Sequence, residues 1–273
     1  MTAADAIRAA AETLAPVSDT ARLDAELLMA HLLGVSRSEL LLYHLRGPAP
    51  PGFAALVERR AGHEPVAYIT GRQEFYGLPF IVSPAVLIPR GDSETLVAAA
   101  LALKPDARRV LDLGTGSGAL LLAVLAHLGE AKGIGIDASG AALAVAARNA
   151  EQLGLRPQAE LRAGDWHAPG WADDLGTFDL ILCNPPYVEA DAALDRQVAG
   201  FEPATALFAG PEGLDDYRVL IPQLRGLMNA GALAILEIGA NQADAVSAIA
   251  GTAGFTVDLR RDLAGRARAL VLG

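Results

Sequence analysis

The sequence predicts an α/β protein: a mostly parallel, seven-stranded sheet with helices on both faces, preceded by a small helical bundle and a hairpin connector. Three observations predict it. From residue 92 onward, short apolar runs alternate with alanine-rich helical stretches, the pattern of parallel strands joined by crossover helices. The first sixty or so residues carry helical periodicity only. Between the two lies a segment of aromatic and β-branched residues broken by Gly71, Gly77, Pro79 and Pro84. With 273 residues, 52% of them hydrophobic and 20% charged, the chain is long enough and apolar enough to bury a substantial core.

The helical bundle is expected over residues 1–70. Ala25, Leu28, Met29, Leu32 and Leu33 fall on one helical face that stops at Gly34. Ser36 and Glu39 have capping-box spacing ahead of Leu40, Leu41 and Leu42. Pro48, Pro50 and Pro51 then break the chain, and a third helix with Phe53, Leu56 and Val57 on one face runs to about Gly62. From about Pro65 to Pro89 the chain is expected to be extended or a hairpin, with Tyr68, Ile69, Phe75, Tyr76, Phe80, Ile81 and Val82 as its β-formers, and the connector between the two domains is bounded at residues 71–91. The sheet domain is assigned residues 92–273, with strands at 110–113, 133–137, 159–162, 178–183, 232–238, 256–259 and 269–272.

Composition excludes several functions. A net charge of −10 is not the character of a chain built to track phosphate backbones, and it weighs against a dedicated duplex-DNA binder. The one cysteine, Cys183, forms no intrachain disulfide and no cysteine zinc site, and it reads as a small buried hydrophobe. Five scattered histidines lack ligand spacing, so no metal is expected. The first residues show no basic region followed by an apolar core, and the longest apolar stretches, such as 119–126, are too short for a bilayer. A cytoplasmic monomer without membrane contact is the expectation.

The chemistry concentrates at the carboxyl ends of the strands. Val110-Leu111-Asp112-Leu113 runs into Gly114-Thr115-Gly116-Ser117-Gly118, a glycine turn that opens a helix and lets a ligand approach the main chain. Its G-x-G-x-G spacing after Asp112 differs from a dinucleotide turn, which keeps its helix N-terminus free for pyrophosphate. Asp137 ends the next strand, where a carboxylate can accept both hydroxyls of a ribose. Asp165 and Trp166 follow the third, where a polar group can read an adenine edge and an indole can pack on its face. Together these point to S-adenosylmethionine.

Asn184-Pro185-Pro186-Tyr187 follows the fourth strand. Two prolines hold the backbone extended and remove two N–H donors. Asn184 Oδ1 and the Pro185 carbonyl can then accept both hydrogens of one NH₂ group, while Tyr187 offers a ring face to a planar amide or base. Two such acceptors raise electron density on a poorly nucleophilic nitrogen. The candidate catalytic residues are therefore Asn184, Pro185 and Tyr187, with Pro186 completing the acceptor site. Ser117 lacks the glycine two residues before it that a nucleophile elbow needs.

Over essentially its full length the chain resembles the HemK/PrmC family, the peptide chain release factor glutamine methyltransferases. The discriminating residues lie in the connector: Glu64-Pro65, Tyr68-Ile69-Thr70-Gly71, Glu74-Phe75, and Val86-Leu87-Ile88-Pro89-Arg90 with Glu94. Phe201-Glu202-Pro203 adds to them. The resemblance implies a class I, Rossmann-like methyltransferase domain behind a helical domain that helps dock a class-one release factor. It also implies methyl transfer to the glutamine of that factor's Gly-Gly-Gln motif. By the same analogy residues 114–118, Asp137, Trp166 and Asn184 hold S-adenosylmethionine. Gly91 stands where the family usually has proline and Ser93 where it usually has threonine. An adenine-N6 DNA methyltransferase, a ribosomal-protein glutamine methyltransferase and a non-catalytic adaptor for translation factors remain as alternatives.

Overall fold

Helical periodicity in the first seventy residues produces α1 (Ala3–Leu14), α2 (Ala21–Leu33), α3 (Arg37–Glu39), α4 (Phe53–Ala61) and α5 (Val66–Thr70). The structure, a computed structural model, describes residues 1–273. Its contacts divide into one unit of residues 1–72 with 194–202 and another of 73–193 with 203–273.

In the first unit, the Thr2 side chain accepts from the Asp5 amide and caps α1, whose buried face is Ala3, Ala6, Ile7, Ala10 and Leu14. That stripe packs with Ala25, Leu28 and Met29 of α2 and with Phe53 and Val57 of α4. α2 ends at Gly34, as its pattern predicts. The Ser36–Glu39 capping box forms, but the helix it opens passes at once into a π turn over Leu40–His44. Only Leu40 of that apolar run is buried; Leu42 and Tyr43 are exposed. Asp24, buried, accepts from Ser18, Thr20 and Arg60, so this interior ion pair carries the extra hydrogen bonds it needs to offset desolvation.

One stretch departs from its predicted state. Residues expected to begin the extended connector form the short helix α5 instead, entered from Pro65 and closed at Gly71. Pairing starts only afterwards, in the hairpin of β1 (Arg72–Phe75) and β2 (Leu78–Ile81).

The second unit is the expected α/β sheet. Its elements are α6 (Glu94–Leu103), β3 (Arg109–Leu113), α7 (Ala119–His127), β4 (Lys132–Asp137), α8 (Gly140–Gln152), β5 (Ala159–Ala163) and β6 (Phe178–Cys183). After α9 (Arg196–Phe201), which groups with the first unit, come α10 (Asp215–Leu224), β7 (Met228–Glu237), α11 (Ala243–Thr252), β8 (Val257–Arg261) and β9 (Ala267–Leu272). The order β5-β4-β3-β6-β7-β9-β8 is parallel from β5 through β7, with β9 antiparallel to both its neighbours.

Alternation along the strands separates two cores. Leu180 and Leu182 of β6 pack with Phe75, Leu96, Val97 and Leu121 on one face. Ile181 and Cys183 pack with Tyr217, Leu220, Ile221 and Val246 on the other. Asn149 on α8 is fully buried; its Oδ1 accepts from the Ile81 amide, and its Nδ2 donates to the carbonyls of Ile81 and Ser117. One buried amide thus ties the hairpin to the glycine turn. No helix is long and apolar enough to cross a membrane.

Candidate active site

The chain runs outward from β3 through β4 to β5, then crosses to begin again at β6. Ligands in open α/β sheets bind beyond the carboxyl ends of strands at such a reversal. The parallel register pairs Leu113 with Cys183, so Gly114 and Asn184 leave adjacent strands side by side. A cavity of about 600 Å³ opens there. Its lining includes Gly114, Thr115, Gly116, Ser117, Asp137, Asp165, Trp166, Asn184 and Pro186. These sequence-predicted residues, drawn from four loops, come together.

Asp137 organises the cofactor side. Its Oδ2 accepts from the Gly116 amide at 2.8 Å and its Oδ1 from the Ser139 amide at 2.8 Å. A carboxylate has about four acceptor positions, so two stay available for hydroxyls. Gly114 has φ of 71°, and a Cβ there would stand 3.3 Å from the Trp166 ring. Backbone and indole therefore meet across a gap that only glycine leaves. Trp166 donates from Nε1 to Asp216 Oδ1 at 2.8 Å, and the same oxygen lies 3.0 Å from His167 Nε2. Asp165 Oδ1 accepts from the His167 amide, closing the turn that carries the tryptophan.

Three predicted residues stand outside the cavity lining. Gly118 packs instead: a Cβ there would lie 3.0 Å from Leu122 and 3.3 Å from Ala146, so this glycine brings α7 against α8. Pro185 is buried, and its carbonyl accepts no main-chain hydrogen bond. Tyr187 turns its hydroxyl to Glu237 Oε1 at 3.2 Å, and its ring packs against the second core. By contrast, the Asn184 side chain makes no hydrogen bond within the chain and lines the cavity.

The loop that follows Tyr187 is fastened by main-chain pairing. Tyr187 and Val188 donate to the Leu207 carbonyl, and Ala209 donates back to Val188. Gly213 closes the arrangement with φ of 66°, and a Cβ there would stand 2.2 Å from the Tyr187 carbonyl oxygen. Gly213→Ala is therefore expected to displace the tetrapeptide and to cost at least about 2 kcal/mol of stability. A denaturant melt and a transfer assay check this together; wild-type values in both would show that the contact relaxes freely.

Asp112 is fully buried below the glycine turn, accepting from Thr115 Oγ1 at 2.6 Å while its Oδ1 has no partner. Burial drives its pKa up to about 7, against the lowering effect of the Thr115 bond. A carboxyl raised in the folded state favours folding only while protonated. Its contribution is lost as pH rises from the usual aspartate range through about 7. Asp112→Asn is accordingly expected to raise the thermal midpoint at mildly alkaline pH, with the gain fading in acid. A pH series of melts in which the variant is less stable throughout would contradict this.

Sequence reasoning did not find Asp216, Glu237 or Asn149, nor Arg90, Ser93 and Phe208, which also line the cavity. The first three hold site residues from 32 or more positions away in the chain, and no local spacing marks them. Arg90 is among the connector residues that the family resemblance singles out and Ser93 is one of its departures, but neither was given a place in the site. No cluster of three or more His, Cys, Asp or Glu side chains gathers as a metal site.

Comparison with known proteins shows the family and the fold. Residues 5–71 match the PrmC N-terminal domain, and residues 104–209 match a methyltransferase domain. The release factor glutamine methyltransferase of Cereibacter sphaeroides is 44% identical over 98% of this chain and 97% of its own length. That of Rhodospirillum rubrum is 42% identical over 92% of this chain and 78% of its own. Among solved structures, a methyltransferase from Pyrococcus furiosus shares the fold, with a TM-score of 0.51 and 18% identity over 80% of this chain and 96% of its own.

Proposed function

The chain belongs to the family of release factor glutamine methyltransferases, and from that membership and the geometry of its cavity we propose what it does. It transfers one methyl group to the side-chain amide nitrogen of the glutamine in the Gly-Gly-Gln motif of class-one peptide chain release factors. The fold is that of the class I S-adenosylmethionine-dependent methyltransferases, and S-adenosylmethionine is the methyl donor.

The observation that carries the acceptor side is the free Asn184 amide, set beside the glycine turn by the register of β3 and β6. Gly114, Thr115, Gly116, Ser117, Asp137, Asp165 and Trp166 would hold the donor. The two remaining acceptor positions of Asp137 suit ribose hydroxyls, and the mixed polar and apolar lining suits a zwitterionic nucleoside. When bound, S-adenosylmethionine supplies a methyl group already activated on a sulfonium, so this chain needs to align and desolvate rather than to activate. Asn184 Oδ1 and the Pro185 carbonyl accept the two hydrogens of the glutamine amide and aim its nitrogen into the cavity. Those two acceptors raise the electron density on nitrogen and favour the positive charge that develops there; the N–C bond would form as the S–C bond breaks, the thioether leaving neutral and the nitrogen's extra proton passing to solvent. Because release factors act on cytoplasmic ribosomes, this reading places the chain in the cytoplasm.

The test is incubation with methyl-labelled S-adenosylmethionine and, separately, purified release factor, ribosomal protein and duplex DNA. Label is expected on the release factor and is expected to vanish when its motif glutamine is replaced. Label on ribosomal protein or DNA alone would contradict the proposal.

A further inference from the structure

Glu237 is the last residue of β7 and is 1% exposed, yet its carboxylate serves none of the steps described above. Its Oε1 accepts the Tyr187 hydroxyl at 3.2 Å, while Oε2 is buried with no hydrogen-bond partner. The groups that face it come from four elements. Ser93, in the turn Gly91–Ser93, lines the cavity on one side and lies near the carboxylate on the other. Asp92 of that turn holds Arg268 of β9 at 2.8 Å, and the guanidinium of Arg268 faces the carboxylate with its own Nε unpaired. Tyr217 of α10 donates to the Glu237 main-chain carbonyl at 2.7 Å. Buried Cys183 at the end of β6 completes the surroundings.

We propose that Glu237 is a positioning residue for methyl transfer: its buried carboxylate holds the Tyr187 hydroxyl and so fixes the tetrapeptide loop against which the acceptor amide is placed. This rests on the reading of residues 184–187 as the acceptor site. Burying this carboxylate is destabilising, since Oε2 makes no hydrogen bond of good geometry and only Ser93, Arg268 and Tyr187 offset its charge. Glu237 accepts the expense in exchange for a charge-assisted bond to the one side chain of the tetrapeptide that reaches it. Ser93 joins the same group to the cavity wall, so the carboxylate references two sides of the cavity to one buried point.

Burial pushes the Glu237 pKa up to about 7, with Ser93, Arg268 and Tyr187 pulling the other way and Asp92 adding to the rise. The bond from Tyr187 is strongest when Glu237 is ionised, and it weakens as pH falls through about 7. The ionised form costs folding stability, so the same group that aids transfer at alkaline pH lowers stability there.

The experiment compares wild type, Glu237→Gln, Tyr187→Phe and the double variant by steady-state kinetics on release factor from mildly acid to mildly alkaline pH. Each single variant is expected to lower kcat by roughly 10- to 100-fold, with KM for release factor and Kd for S-adenosylmethionine little changed. The double variant is expected to be no slower than Tyr187→Phe alone. An acid limb of kcat near pH 7 in wild type is expected to be absent from Glu237→Gln. Its thermal midpoint at alkaline pH is expected to be no lower than that of wild type. Wild-type kcat with a lowered midpoint in Glu237→Gln, or losses that multiply in the double variant, would overturn the assignment. If Glu237→Gln does not fold, Tyr187→Phe removes the same bond from the other side, and its unchanged kcat would overturn it equally. A wild-type protein that methylates no release factor would refute the functional reading itself, and the assignment with it.

Discussion

Asn184→Ala is expected to abolish measurable methyl transfer, lowering kcat by about 100- to 1000-fold, the loss typical when one oriented polar contact to the reacting group is removed. The fold should survive, because the Asn184 side chain bonds to nothing in the chain and its removal orphans no buried partner. The backbone of the loop is kept by other means: Pro185 and Pro186 fix its dihedral angles, and Tyr187 and Val188 pair with Leu207. A stability change within about 1 kcal/mol is expected for such a half-exposed position. Single-turnover transfer measured beside a thermal melt separates the two effects. Near-wild-type turnover in a well-folded variant would remove Asn184 from the acceptor site.

Asp137→Ala is expected to act on the other half of the site. It deletes the carboxylate that accepts from the amides of both Gly116 and Ser139, so two turns lose their shared anchor and the hydroxyl acceptors vanish together. Hydrogen bonds to a charged group are worth about 1.5–3 kcal/mol each, so S-adenosylmethionine affinity is expected to fall by roughly 100-fold or more. Titration calorimetry measures this directly. At saturating S-adenosylmethionine, kcat should recover far more than in Asn184→Ala, because Asp137 does not touch the acceptor side. An unchanged affinity would mean that the two amide contacts alone account for the residue.

The two halves differ in how they could be read from sequence. The strand Phe178–Cys183 and its tetrapeptide were legible because an apolar run, two prolines and a polar head occupy adjacent positions. The glycine turn was legible for the same reason, although its last member, Gly118, serves helix packing rather than the cavity. What escaped is long-range. Asp216 looks like an ordinary first-turn acid of α10, yet it orients Trp166 from 50 residues away. Glu237 looks like the polar end of an exposed strand, but β9 and the turn at 91–93 cover it. The stretch Val66–Thr70 misled in the opposite direction: its β-forming residues are helical because packing overrides propensity, with Ile69 buried in the core of the first unit and Gly71, left-handed, ending the helix.

The central claim is that one nitrogen is methylated, and peptide mass spectrometry of the release factor tests it most directly. After incubation with this protein and S-adenosylmethionine, fragmentation is expected to place a single added methyl on the side-chain amide of the Gly-Gly-Gln glutamine, and none with Asn184→Ala. A methyl on any other residue, or on that glutamine equally with the variant, would contradict the account.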